Sequence, residues 1–344
     1  MHNTGYSSLL LTFLIGIQRN FAIFRLRRKE SCGFFRNEII ADTVAHNMKK
    51  ILAITILLVS NLCFSQLKSV IIDSDTKEKI PYVNIWVENE NTGTTSNEKG
   101  EFELKINGTK VILFSAIGFQ TKKIISDSIK NVLELKPLIT ELDEIIINSK
   151  KLSQELTIGE FKKSKINSYF ACGTQPRISA KFFEYKTKYE KTPYLKKLRI
   201  LTNSDVKNSK FNIRLYGVNE KGEPENYIYN ENIIGIAKKG KKTTEIDLSE
   251  LNIEFPKKGF FVAIEWLIIE ENRHEYNYTM QGSRKKLIGT SYEPAIGTVP
   301  AETNENSWRL NHGKWRKVWK NNDKSMKKYR NKYNQLAIEL TLTN

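Results

Sequence analysis

An all-β protein of two successive sandwiches is the fold predicted for this 344-residue chain. Three features predict it. Short apolar runs with a period of two recur roughly every ten residues. Turn-forming Gly, Asn, Pro and Thr separate them. From residue 66 onward no stretch carries the 3.6-residue apolar period of a helix. A hydrophobic content of 40% with 10% aromatics is enough to fill real cores and excludes wholesale disorder.

The N-terminal region is read as targeting. Met48 is followed by Lys49-Lys50, then by the apolar run Ile51-Leu52-Ala53-Ile54-Thr55-Ile56-Leu57-Leu58-Val59, then by Ser60-Asn61-Leu62-Cys63-Phe64-Ser65. A positive start, a short apolar centre and a small residue at the cut define a secretory signal peptide over residues 48–65, with cleavage expected after Ser65. The apolar run is about half the ~20 residues that span a bilayer, so no permanent transmembrane span is expected in the mature chain. An export signal works at an N-terminus. Residues 1–47, with their own apolar run at 9–17 and a basic cluster at Arg25, Arg27, Arg28 and Lys29, are therefore expected to be a mis-called extension of a chain that starts at Met48. Leu62 puts a bulky side chain where a lipoprotein signal needs a small one, which argues against lipidation at Cys63. Cys172 is the one cysteine after the expected cut, so the fold must rest on its cores without an internal disulfide.

Residues 66–137 form the first predicted sandwich. Tyr82-Val83-Asn84-Ile85-Trp86-Val87 places Val83, Ile85 and Val87 on one face, and Glu101-Phe102-Glu103-Leu104-Lys105-Ile106 does the same for Phe102, Leu104 and Ile106. Val111-Ile112-Leu113-Phe114 is continuously apolar and is expected to be a central strand covered on both faces. Lys122-Lys123-Ile124-Ile125 and Val132-Leu133-Glu134-Leu135 complete the set.

Within this stretch Val70-Ile71-Ile72-Asp73, Ile80-Pro81-Tyr82-Val83-Asn84-Ile85, Gly93-Thr94-Thr95-Ser96-Asn97-Glu98-Lys99-Gly100-Glu101-Phe102 and Phe114-Ser115-Ala116-Ile117-Gly118-Phe119 occur in order. Together they resemble the carboxypeptidase regulatory-like domain, with Asn97 for the family's usual Asp and Phe119 for its usual Tyr. The resemblance implies a seven-stranded, transthyretin-like Greek-key sandwich. It also implies a place in the Gram-negative envelope, where such domains commonly stand at the front of TonB-dependent receptors and other surface proteins. Gly93 and Gly100 are expected to supply turn conformations closed to residues with a Cβ, and Pro81 to stiffen the approach to a strand.

Residues 138–156, with Glu141, Asp143 and Glu144 before Ile145-Ile146-Ile147, are expected to be a linker or bridging strand. Residues 157–344 are predicted to form a second, jelly-roll-like β-sandwich of roughly eight strands. Phe211-Asn212-Ile213-Arg214-Leu215-Tyr216 and Gln335-Leu336-Ala337-Ile338-Glu339-Leu340 alternate, and Thr244-Glu245-Ile246-Asp247-Leu248 precedes the next run. The stretch from Gly259 to Ile269 is apolar on both faces and is expected to be central. Glu265 lies inside that most apolar strand, so a Lys or Arg across the sheet is expected to pair with it.

No catalytic constellation emerges. His274 and His312 are the histidines beyond residue 65, and no His-Glu-x-x-His or His-x-x-Glu pattern occurs, so no metal site is expected. Neither a Gly-x-Ser-x-Gly elbow nor a phosphate-binding Gly-rich loop is present, and no cofactor is expected. Adjacent strand residues such as Glu270 and Glu271 point to opposite faces and do not make a glycosidase pair. Cys172 is expected to be a semi-buried thiol and not a nucleophile.

The candidate ligand-binding segment is residues 308–333. It carries Trp308, Trp315 and Trp319 among Lys314, Arg316, Lys317 and Lys320, a pattern in which charge attracts an anionic polymer and flat rings stack on sugars or bases. The alternative assigns the tryptophans to the core and the lysines to a solvated face. Net charge is +17, and residues 1–65 hold 8 of the 55 basic and 3 of the 38 acidic residues, leaving +12 on the remainder. Such a balance attracts anionic surfaces. Export makes nucleic acid an unexpected physiological partner. The sequence therefore predicts an exported, extracytoplasmic, non-catalytic binding or scaffold protein of the cell envelope, with an anionic surface glycan or another envelope protein as partner. The competing expectation is a divergent hydrolase acting on polysaccharide through carboxylates of the second domain.

Overall fold

The computed structural model describes Met48, Lys50 and residues 65–138, 154–280, 282–311 and 313–344. The predicted extension 1–47, nearly all of the predicted signal segment 48–65 and most of the predicted junction 138–156 lie outside these residues. The fold below is that of the unit Phe64–Asn344. Among the described residues no helix is long and apolar enough to cross a membrane.

The first seven strands are β1 (Ser65–Asp73), β2 (Asn84–Val87), β3 (Gly93–Thr95), β4 (Glu101–Ile106), β5 (Val111–Ser115), β6 (Lys122–Ile125) and β7 (Val132–Leu135). They form a three-stranded sheet of order β4-β1-β7 facing a four-stranded sheet of order β3-β2-β5-β6. The sandwich thus has the seven strands predicted, and the β1–β7 pair is parallel. β4 alternates exposed and buried without a fault, which puts Phe102, Leu104 and Ile106 into one core with Ile71, Val83, Ile85, Val87, Ile112 and Phe114. β5 is interior in its sheet, but Val111 and Leu113 are not buried, so it is covered on one face rather than two. Asn97 does the work of the family's usual Asp: its Oδ1 accepts from the backbone N–H groups of Lys99 (2.9 Å) and Glu101 (3.0 Å), fixing the turn.

Fifteen strands build the second sandwich, nearly double the expected number, because its long polar connections hold short strands of their own. One sheet has seven strands: β10 (Ile178–Phe183), β12 (Ser209–Val218), β13 (Pro224–Tyr227), β14 (Ile233–Ala237), β16 (Phe260–Trp266), β19 (Ser307–Asn311) and β20 (Lys314–Lys317). The other has eight: β8 (Glu155–Ile158), β9 (Ser168–Cys172), β11 (Tyr194–Ser204), β15 (Gly240–Asp247), β17 (Arg273–Thr279), β18 (Lys286–Ala301), β21 (Tyr333–Leu336) and β22 (Ile338–Thr343). β16 is buried at every position and lies between β12 and β10, as its apolar run predicts. The alternating run 335–340 is divided at Ala337: β21 pairs with β18, whereas β22 pairs with β11 and β8. Glu270 and Glu271 sit in a 3₁₀ turn instead of a strand.

The two sandwiches meet along a buried seam. Tyr82 of the first packs with Leu267 and Ile269 of the second. It holds φ at +56°, an unusual conformation for a bulky residue, and its hydroxyl donates to Glu98 at 2.9 Å. Lys210 pairs with the same carboxylate from the second sandwich. The Ile268 N–H donates to Thr95 Oγ1 at 3.1 Å. Gly93 serves close approach at this seam, not a turn: an added Cβ would lie 2.5 Å from both Ile85 O and Pro176 Cγ. Gly100, with φ +70°, does have the turn role predicted for it.

Candidate functional site

The β19–β20 hairpin decides the fate of the basic-aromatic segment. Cross-strand partners share a face, and the register pairs Trp308 with Lys317 and Leu310 with Trp315. Trp308, Trp315 and Lys317 therefore lie on one face. Trp308, only 6% exposed, sits in a cluster with Ile178, Ala180, Tyr216, Phe261 and Ala263, and Trp315 packs against that cluster. The Lys317 ammonium caps the Trp308 ring at 5.5 Å, and Trp315 meets Tyr216 edge-on at 5.3 Å. Lys314 and Arg316 fall on the opposite face, beside Arg309. Trp319 lies past the end of β20, 63% exposed, with the Arg309 guanidinium 4.5 Å from its ring. Lys320 is bridged to Tyr333 and lies 5.8 Å from that ring. The seven candidates thus do not converge: two tryptophans build core, and the third, Trp319, is exposed beside Arg309. His312 lies outside the described residues.

Glu265 has the partner its burial demands. Arg214 Nε on β12 donates to Oε2 at 2.5 Å, and both side chains are almost wholly buried. Asn84 of the first sandwich donates to Oε1, and Arg214 Nη1 donates to the Tyr227 hydroxyl at 2.8 Å. Burial alone would lower the Arg214 pKa, yet the Glu265 carboxylate and the flanking tyrosines raise it above the ordinary value, so the guanidinium stays charged. This polar cluster is structural: it ties the two sandwiches together through one carboxylate. Cys172 is buried, its single S–H faces the carbonyl oxygens of Gln175 (3.2 Å) and Gly173 (3.4 Å), and its thiol is pushed up to about 12 by burial. A thiol held protonated is a poor nucleophile.

A cleft of ≈ 1200 Å³ opens between the sandwiches, lined among others by Glu101, Glu103, Glu270, Glu271 and Tyr292. These four carboxylates are exposed to water, and the other aromatic lining residue, Phe102, belongs to the first core.

The feature missed by sequence reasoning is the β17–β18 ribbon. Among the described residues β17 is the edge of the eight-stranded sheet, and residues 273–279 pair only with residues 286–292 of β18. One face carries His274, Tyr276 and Tyr278 in file, with successive ring separations of 6.2 and 6.1 Å. Tyr276 lies flat over Gly289, where an added Cβ would be 2.7 Å from the ring. Tyr276 is 44% exposed, Tyr278 43%, Met280 58%, and Ile288 on the other face 71%. Arg284, Lys285 and Lys286 make the tip basic. At the root, His274 Nδ1 stands 3.8 Å from Asp205 Oδ2 and 3.9 Å from Glu293 Oε1.

Residues 67–147 match the family model of the CarboxypepD_reg-like domain. The first sandwich is accordingly a carboxypeptidase regulatory-like domain, and the match runs on into residues 138–147. Among solved structures, the cysteine protease and lectin-like domains of Cwp84, a surface layer associated protein of Clostridium difficile, share 11% identity over 49% of this chain and 32% of that one, with a TM-score of 0.31. The clostridial cysteine protease Cwp84 after propeptide cleavage shares 11% identity over 73% of this chain and 50% of that one, with a TM-score of 0.34. The chain spans half or less of the length of these proteins. No curated protein matches it.

Proposed function

We propose that the chain is an exported, non-catalytic module of the cell envelope that docks a partner protein through the β17–β18 ribbon. The observation that carries this reading is the ribbon itself: an open strand edge whose Tyr276, Tyr278, Met280 and Ile288 are all exposed. A two-stranded ribbon is marginal in water on its own, and Tyr and Met are enriched where proteins meet. An open edge is also a template for strand addition. The basic tip favours a partner with an acidic rim. Export rests on the segment 48–65, and the envelope setting on the regulatory-like domain. The exposed, solvated carboxylates of the inter-sandwich cleft and the protonated Cys172 support a role without catalysis.

A second reading has its own support. Trp319, exposed on one face and backed by Arg309, is suited to stack on an anionic surface glycan. The two readings separate in affinity isolation from solubilised envelopes with the full chain, a Tyr276→Ser/Tyr278→Ser variant and Trp319→Ala. The docking reading expects a defined protein partner retained by Trp319→Ala and lost by the ribbon variant; retention by the ribbon variant refutes it. Salt-sensitive glycan binding abolished by Trp319→Ala alone would move the function to the C-terminal segment.

A further inference from the structure

We infer that Asp205, His274 and Glu293 form a binding site for a divalent transition-metal ion of the zinc class, which clasps the root of the β17–β18 ribbon to the β11–β12 turn. Asp205 lies in the turn after β11, His274 is the second residue of β17, and Glu293 is in β18. Their ligand atoms all lie within 4.8 Å of one another, although the residues are far apart in sequence. The His274 Nδ1 separations of 3.8 and 3.9 Å are too long for hydrogen bonds. They sit close to the ~3.4 Å that separates two donors on a tetrahedral ion with bonds of about 2.1 Å. Metal binding would draw the three side chains together from a spread of up to 4.8 Å, with Asp205, exposed in its turn, and the half-buried His274 ring as the groups that move. One imidazole and two carboxylates are a donor set for zinc and its neighbours rather than for the oxygen-only cages of magnesium or calcium.

Glu293 supplies an independent argument. Three carboxylates are buried among the described residues: Glu265, Glu293 and Glu339. Glu265 has Arg214 and Glu339 has Arg199. Among the described residues Glu293 has neither an arginine nor a lysine; its partners there are the Ser291 hydroxyl (3.1 Å), the Ala295 N–H (3.2 Å) and the distant His274. Arg273, next to His274, turns away to Glu270 and Glu275. In a chain with an excess of 17 positive charges, a buried carboxylate left without a cation is out of pattern, and a metal ion supplies the missing charge. The two hydrogen bonds also hold the Glu293 carboxylate in place, as supporting contacts do for metal ligands. His274 and Asp205 leave a side open to water, so the ion would retain exchangeable positions.

The test uses the untagged full chain, stripped with chelator and titrated with Zn²⁺ by calorimetry, with Co²⁺ absorption as a second readout. The expected result is one strong equivalent per chain, a visible Co²⁺ band, no competition from Mg²⁺, and affinity lowered at least ten-fold in both His274→Gln and Asp205→Asn. Both substitutions lie at partly or fully exposed positions, and circular dichroism without metal confirms that the variants are folded. Absence of binding overturns the inference. So does binding of equal strength in both folded variants, which would place the ion elsewhere.

Discussion

Replacing Glu265 by Gln tests the claim that one buried carboxylate couples the two sandwiches. The substitution keeps the shape of the side chain and removes its charge. Arg214, 1% exposed, would then be a buried guanidinium without a counter-charge. Asn84 would face an amide that must serve both Asn84 and Arg214 as acceptor. Breaking a buried pair by removing one partner costs about 3–5 kcal/mol. For a cooperative unit of this size roughly 2–4 °C of melting temperature goes with each kcal/mol, so Glu265→Gln should melt on the order of 10 °C lower than wild type. Arg214→Met should cost a similar amount. The double variant Arg214→Met/Glu265→Leu should recover part of the loss, because apolar replacement of a whole buried pair is often neutral, while the buried Asn84 amide, left without its acceptor, keeps a cost of about 1–3 kcal/mol. Guanidinium unfolding followed by near-ultraviolet circular dichroism measures all three. Single variants within about 1 kcal/mol of wild type, or a double variant worse than the two singles together, would refute the reasoning.

Two further outcomes follow from buried groups. Lys181 lies between the sheets, donates to Ile338 O at 2.7 Å, and is held at about 8 by burial, with Glu339 opposing that effect. Below pH 8 both folded and unfolded forms carry the proton and the folded state bears the full penalty, on the order of 3 kcal/mol. Between pH 8 and 10.5 the unfolded state binds more protons, so stability rises with pH. The stability of Lys181→Met relative to wild type should therefore fall by about 1.4 kcal/mol per pH unit across that window in urea titrations; a difference independent of pH would contradict this. Cys172, its thiol raised to about 12, should react with iodoacetamide at pH 8 only as fast as the protein opens, read by mass spectrometry of the Cys172 peptide. Labelling at the rate of a free thiol would contradict its burial.

The parts of the fold legible in the sequence are those where one strand carries its own signal. Residues 101–106 state their buried face by strict alternation, and residues 260–266 state a central position by being apolar throughout. Glu265 inside such a strand announces a cationic partner, although nothing local says that the partner is Arg214. What was not legible depends on pairing. Gln335 to Leu340 alternates without a break, yet Ala337 hands the chain from one set of neighbours to another. The three tryptophans look like one platform in sequence. The β19–β20 register and the end of β20 at Lys317 separate them into two core residues and one exposed ring. The β17–β18 ribbon was missed because its alternating Arg-His-Glu-Tyr-Asn-Tyr-Thr run reads as an ordinary half-buried strand. Only the topology reveals that it is an edge with neither face covered. Asp205, His274 and Glu293 form no motif, because the turn and the ribbon bring them together from separate parts of the chain.

The central claim is that the ribbon, and not the basic C-terminal segment, meets the partner. Its most direct test is photo-crosslinking in intact envelopes, with a benzophenone amino acid placed in the full chain at position 278, 288, 319 or 221, the last in the exposed β12–β13 turn. The account predicts a discrete adduct with one protein from positions 278 and 288 and none from 319 or 221. Adducts from position 319 with silence at 278 and 288 would contradict it and assign the docking surface to the C-terminal segment.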